Sequence, residues 1–237
     1  MKAIIHCHSS FSFDSLASIE NIIESCVSFD VKLLILSDHN TVSGSLLAAK
    51  KIAELNLNIL CPPAAEYNTE FGDVILVGYP YDLISHNFSD LINASHNPGC
   101  FLLLPHPFHD HTNIQFLCKN VDFIEVFNSR CNASQNKLAL ELALFNSKPT
   151  YASPDAHFIS EYSNCIVNYS VELSTDLSDI LQSDWSYVIK KNSSIANIYR
   201  SSFIKGYKNG SFIICFKALI KLSIIFCGLA HLRRLYK

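Results

Sequence analysis

The apolar run Ala3-Ile4-Ile5 ends in His6-Cys7-His8. Residues i and i+2 of a β-strand point to one side, so these two imidazoles can converge on one metal ion. Alone, the pair fits two ordinary strand histidines equally well. Similar groups recur, however, each after a short apolar run. Leu33-Leu34-Ile35-Leu36 leads into Ser37-Asp38-His39-Asn40-Thr41, and Asn58-Ile59-Leu60 into Cys61-Pro62-Pro63-Ala64-Ala65-Glu66. Phe101-Leu102-Leu103-Leu104 leads into Pro105-His106-Pro107, and Thr150-Tyr151-Ala152-Ser153 into Pro154-Asp155-Ala156-His157. Imidazole and carboxylate are hard or borderline donors, suited to divalent ions that activate water and neutralise anionic oxygens.

Donors so far apart in the chain must be gathered by the fold, and a parallel barrel gathers the C-terminal ends of its strands at one rim. Ile19, Ile22, Ile23, Cys26 and Val27 recur at helical spacing, as do Leu46, Ala49, Ile52, Ala53 and Leu55. Leu138, Leu142 and Phe145 mark a third helix that stops near Asn146-Ser147-Lys148-Pro149. Strands are expected at 2–6, 32–36, 57–60, 74–77, 101–104, 123–127 and 150–152, whose near-continuous apolar character suits burial on both faces. Residues 167–173 and 185–189 read as further strands, and 175–181 as a short helix.

In motif order the chain resembles the PHP domains, named for polymerase and histidinol phosphatase. The resemblance covers roughly the first two thirds of the sequence. It rests on His6 to Ser15, with Asp14 six residues after His8, on Ser37-Asp38-His39-Asn40-Thr41, on Glu66 with Gly72-Asp73-Val74, on Pro105-His106-Pro107 and on Ser153 to His157. It implies an α/β fold, a distorted seven-stranded (β/α) barrel, and phosphoesterase activity with two or three divalent ions, Mn, Fe or Zn. By position, His6, His8, Glu66 and Asp155 would hold one ion, and Asp14, His39 and His157 another. Glu66 would bridge to a third ion completed by His106. His39, Asp38 and His106 are the expected catalytic residues, acting with a water activated by the ions.

The chain departs from the family pattern at Asp73, where many members have histidine; an aspartate ligand would favour Mn or Fe over Zn. Pro154 stands where serine is usual and Ala65 where glycine is common. Glu125, inside the apolar run from Phe123 to Phe127, is expected to support a ligand histidine from behind. Arg130 is a candidate for receiving a substrate phosphate. His109 and His111 are expected on an exposed loop.

A chain of 237 residues, 49% of them hydrophobic, can bury one substantial core. Its formal net charge of −3 gives no basic footprint for duplex nucleic acid, while leaving room for a small phosphorylated substrate or a short oligonucleotide. Nine scattered cysteines, an odd number, read as reduced thiols of a cytoplasmic protein, and the N-terminal apolar run is too short for a signal peptide. The expected organisation is a barrel over residues 1–190 and an apolar, basic helical extension over 191–237. In residues 212–230, Lys217, Lys221 and Gly228 share one narrow helical stripe beside a wide apolar face, and Arg233, Arg234 and Lys237 follow. Two lysines at the bilayer centre argue against a spanning helix. Docking on the barrel, a dimer contact and peripheral association with an anionic membrane remain as readings of residues 212–237.

These observations favour a metal-dependent phosphoesterase acting on a small phosphomonoester or on nucleotide or oligonucleotide phosphates. The competing readings are a metal-dependent C–N hydrolase and a non-catalytic, metal-stabilised module recruited through its last helix.

Overall fold

The computed structural model describes residues 1–173 and 176–235, with side chains as far as 228. Thr175 and Lys237, and the side chains of His231, Arg233 and Arg234, lie outside the described residues. The chain runs β1 (Lys2–Cys7), α1 (Ile19–Ser28), β2 (Val31–Leu36), β3 (Asp38–His39), α2 (Ser43–Glu54), β4 (Ala64–Thr69), β5 (Gly72–Val77), α3 (Phe88–Ser95), β6 (Phe101–Leu104), α4 (Ile114–Asn120), β7 (Phe123–Asn128), α5 (Ala133–Phe145) and β8 (Thr150–Ser153). A 3-10 helix (Ile159–Asn164), β9 (Cys165–Tyr169), α6 (Leu177–Gln182), β10 (Trp185–Lys190), α7 (Ile195–Lys208) and α8 (Phe212–Leu235) complete it.

The result is a mixed α/β fold with two sheets, in the orders β10-β9-β1-β2 and β3-β4-β5-β6-β7-β8. The ladders are only partly parallel, which corrects the expectation of a wholly parallel sheet. β1–β2, β3–β4, β6–β7 and β7–β8 are parallel, whereas β4–β5–β6 and β1–β9–β10 are antiparallel. Isolated bridges, Cys7 to Ala156 and Leu33 to Leu60, connect the sheets at both sides. Alternate residues of β1, β2, β5, β6 and β9, including Ala3, Ile5, Leu33, Ile35, Ile75, Val77, Phe101, Leu103, Cys165 and Val167, fill one inner core. Opposite residues such as Ile4 and Leu34 pack beneath α1, whose buried stripe is Ile19, Ile22, Ile23 and Cys26. Ser18 caps that helix by accepting from the Asn21 backbone N–H.

Residues 57–60 do not form the expected strand and make only the bridge at Leu60. Pro62 and Pro63 lack the N–H groups a continuing ladder needs. The strand forms beyond them as β4, and Glu66 therefore sits within a strand, paired with Ile75. Ala64 joins the inner core while Ala65 and Tyr67 face the outer helices, and the period of two puts Glu66 on the inner side. At the far end of the chain α8 packs on α7. Gly206 makes the close approach possible, since a Cβ there would lie 2.8 Å from Cys215 N and Sγ.

Candidate metal centre

The ends of β1, β3, β6 and β8, with the inner face of β4, bring the donors together. His6, His106 and Asp155 all take positive φ, 60°, 28° and 46°, a backbone turn that aims side chains at the rim instead of along the strand. Glu66 is central. Its Oε1 lies 3.2 Å from His106 Nε2 and 3.5 Å from His6 Nε2, while its Oε2 lies 3.2 Å from His39 Nδ1 and 3.4 Å from His8 Nε2. Asp155 Oδ1 is 3.3 Å from His8 Nε2 and 3.5 Å from His6 Nε2. Asp14 Oδ2 is 3.0 Å from His157 Nε2 and 3.3 Å from His39 Nε2. Three sets of donors converge closely enough to hold a cation: His8, Asp14, His39 and His157; His6, Glu66 and His106; and His6, His8 and Asp155. His6 Nε2, His8 Nε2, Asp14 Oδ1 and Glu66 Oε2 are buried with no hydrogen-bond partner, a costly arrangement that bound cations would satisfy.

A layer of polar groups fixes these donors. Glu125 Oε1 lies 3.0 Å from His6 Nδ1, and Glu125 Oε2 accepts from the His106 backbone N–H at 2.7 Å and from Asn128 Nδ2 at 2.9 Å. Asn128 Nδ2 also reaches Asp155 Oδ2 at 3.1 Å. Asp38 accepts from the Ser9 N–H, the Ser9 hydroxyl and the Ser12 hydroxyl at 2.6, 2.6 and 2.8 Å. Ser12 Oγ in turn lies 3.1 Å from His8 Nδ1 and accepts from the His39 N–H at 3.0 Å. Asp38 therefore stands behind the donors, its carboxylate accepting from Ser9 and Ser12. Gly44, at the start of α2, leaves the space, since a Cβ there would lie 1.9 Å from Asp38 Oδ2.

The charges reinforce one another. Burial lowers the His8 pKa to about 3, with His157 and His39 adding to the effect, so this ring is neutral and available as a donor. Burial also works against a charged His39 and His106, but the carboxylates outweigh it, chiefly Glu66 in both cases, and raise both to about 9. Glu66 and Asp155 are held well below the ordinary carboxylate range because His6 and neighbouring cations outweigh the cost of burial. Asp38 has no such cation cluster, and burial raises its pKa.

These donors floor an open pocket of about 340 Å³. Its walls include Asp73, His109, Asp110 and Arg130, and, from α7, Ile198, Ser201, Ser202 and Lys205. Asp73 stands outside the three donor sets, with its carboxylate accepting from Asn68 Nδ2 at 2.8 Å. Arg130 is half-buried and already engaged, with Nη1 3.3 Å from Glu161 Oε2 and Nη2 donating to Ser201 Oγ. His109 is exposed as expected, but His111 packs under Gly72 and its Nε2 lies 2.8 Å from the Asp73 carbonyl. Sequence reasoning missed Ser9, Ser12, Asn128 and Glu161, and also Lys208, whose Nζ donates to the carbonyls of Ser10, Ser12 and Ser15 at 2.9, 2.7 and 2.8 Å. A larger cleft of about 890 Å³ lies at the opposite strand ends, beside Phe101, Phe123 and Pro149, and among the described residues it contains no such donor set.

Residues 5–209 match the PHP domain model. The chain belongs to the PHP domain family. An uncharacterized protein of Methanocaldococcus jannaschii, MJ0417, is 29% identical over 194 residues, 75% of this chain and 76% of the relative. Among solved structures, a two-domain protein of Bacteroides vulgatus, described as containing a predicted PHP-like metal-dependent phosphoesterase, superposes with a TM-score of 0.66 at 14% identity. That match covers 80% of this PHP chain and 65% of the two-domain protein, so the chain spans just under two thirds of it. PsfC of Pseudomonas syringae superposes with a TM-score of 0.60 at 15% identity, covering 88% and 98% of the two chains.

Proposed function

We propose that this protein hydrolyses a small phosphoester, a phosphomonoester or the phosphate of a nucleotide or short oligonucleotide, using two or three divalent ions of Mn, Fe or Zn. The observation that carries this reading is the set of buried, unpartnered donor atoms meeting at Glu66 on the floor of an open pocket. The all-nitrogen and oxygen donor set suits these ions, and His6, His8, Asp14, His39, Glu66, His106, Asp155 and His157 would hold them. Bound there, divalent ions supply positive charge for phosphate oxygens and acidify water.

The chain's own residues bind and orient. Arg130 and Lys205 place cationic groups on the wall where the substrate phosphate enters, and Lys205 is steadied over the Phe13 ring at 4.7 Å. Phe13 stacks on His39, with ring centroids 4.4 Å apart, and keeps that imidazole facing Asp14 and Glu66. His39 and His106, one on each side of Glu66, would serve the reaction as ligands of the ions. In the same reading the two bridged sheets belong to one distorted barrel of PHP type, a view supported by their shared inner core. Residues 1–190 are its main unit, and the helical extension adds α7 as a wall.

The test is phosphate release from a phosphoester panel by protein loaded with Mn²⁺, Fe²⁺ or Zn²⁺, beside the His39→Ala and Asp155→Ala variants. Turnover lost in both variants together with metal content supports the proposal. Ammonia release without phosphate release would transfer the assignment to C–N hydrolysis, and metal binding without turnover on either panel would reduce the protein to a binding module.

A further inference from the structure

All 21 acidic residues lie at or before Asp184, and ten of the 18 lysines and arginines follow it. The last part of the chain is thus without acidic side chains, and exposed large apolar side chains are concentrated there on α8. α8 carries two apolar stripes. Ile214, Cys215, Ala218, Leu222 and Ile225, at helical spacing, are its more buried positions, and this side packs on α7. Phe212, Ile213, Phe216, Leu219, Ile220, Ile224 and Phe226 form the other, and nothing among the described residues covers it: Phe212 is 80% exposed, Ile213 66%, Phe216 54% and Ile224 66%. Lys217 and Lys221 run along the border between the two stripes, both exposed, and Lys221 rests over the Tyr199 ring at 4.9 Å. Among the described residues no helix is long and apolar enough to cross a membrane.

We infer that the α7–α8 hairpin is a peripheral membrane anchor, lying on an anionic lipid surface with the outer stripe of α8 in the acyl boundary and its lysines at the head groups. An apolar stripe bordered only by cations complements a surface that is apolar below and anionic above. A second copy of the chain is a poorer partner, because a symmetric contact through this face would set lysine-rich segments without any carboxylate against each other. The opposite side of the hairpin, through α7, lines the metal pocket, so docking would hold the pocket mouth beside the bilayer. The anchor stands whether or not the catalytic proposal does.

The experiment is co-sedimentation of the full chain with phosphatidylcholine vesicles and with vesicles of phosphatidylcholine mixed with phosphatidylglycerol, over a series of salt concentrations. Binding to the mixed vesicles that weakens with salt and is much lower on neutral vesicles is expected. Lys217→Gln with Lys221→Gln should weaken binding about fivefold per lysine. Phe216→Asp with Ile220→Asp, both exposed positions, should weaken it at least about tenfold while metal content and thermal unfolding stay unchanged. Absence of vesicle binding, binding equal in all variants, or a concentration-dependent dimer abolished by the Asp variants without any lipid binding would overturn the inference.

Discussion

Glu125 touches no substrate position, yet it reaches His6 through the ring and His106 through the backbone, and shares Asn128 with Asp155. Glu125→Gln keeps the shape but weakens the pull on the His6 ring, and supporting carboxylates of this kind contribute about 10–100-fold in metal affinity. A competition titration with a chromophoric chelator should show that loss, and unchanged affinity would remove Glu125 from the centre's support. His6, His8, His39, His106, Asp155 and His157 were legible because each lies at or just after a strand end marked by an apolar run, whereas Asp14 lies in a loop and Glu66 within β4, where no such run marks them. Asp38 also follows an apolar run, and only the coordinates show its oxygens accepting from the Ser9 and Ser12 hydroxyls. Asn128 and Glu161 had no spacing to reveal them, since a hydrogen bond across folded segments leaves no period in a sequence. Lys208 is the extreme case, lying 193 to 198 residues from the carbonyls it binds.

Elements were legible where burial on both faces wrote itself as apolar runs, as in β1, β2, β6 and β7, and where a helix kept one buried stripe, as in α1. β4 escaped because Ala-Ala-Glu-Tyr-Asn-Thr is not an apolar run, and its pairing with β5 was decided by partners outside the segment. The short α3 and α4 escaped for want of length. Two contacts between elements make sharp predictions. Gly44→Ala pushes the first turn of α2 into Asp38, and with no slack in a buried carboxylate network it should lower stability by roughly 1–3 kcal/mol and loosen His8, as read by denaturant unfolding and metal affinity. Lys208→Met removes three charge-assisted bonds from the loop that carries Asp14. Faster amide exchange confined to residues 9–15 and a several-fold weaker ion at Asp14 should follow, and exchange that stays unchanged would show the clamp to be idle.

At the scale of the whole molecule, the centre concentrates strain and charge that ions relieve. His6, His106 and Asp155 hold left-handed backbone at a typical cost of about 1–3 kcal/mol each, and His6 Nε2, His8 Nε2, Asp14 Oδ1 and Glu66 Oε2 are buried without a hydrogen-bond partner. Chelation should therefore lower the melting temperature, and adding Mn²⁺ or Zn²⁺ back should restore it. The stripped protein should also be sensitive to alkali. His39 and His106, raised to about 9 from the ordinary 6.5, contribute stability in full below pH 6.5 and lose it as pH rises through about 9. Melting curves of stripped and loaded protein recorded from neutral pH to beyond 9 should diverge, with the stripped protein declining more steeply. The tie between Lys208 and the opening loop carries a temporal meaning as well. During synthesis the imidazoles of the first strand must wait for Asp155 and His157, and their loop for an ammonium made nearly two hundred residues later. The full donor set thus cannot assemble on a half-made chain, because Asp155 and His157 belong to its second half.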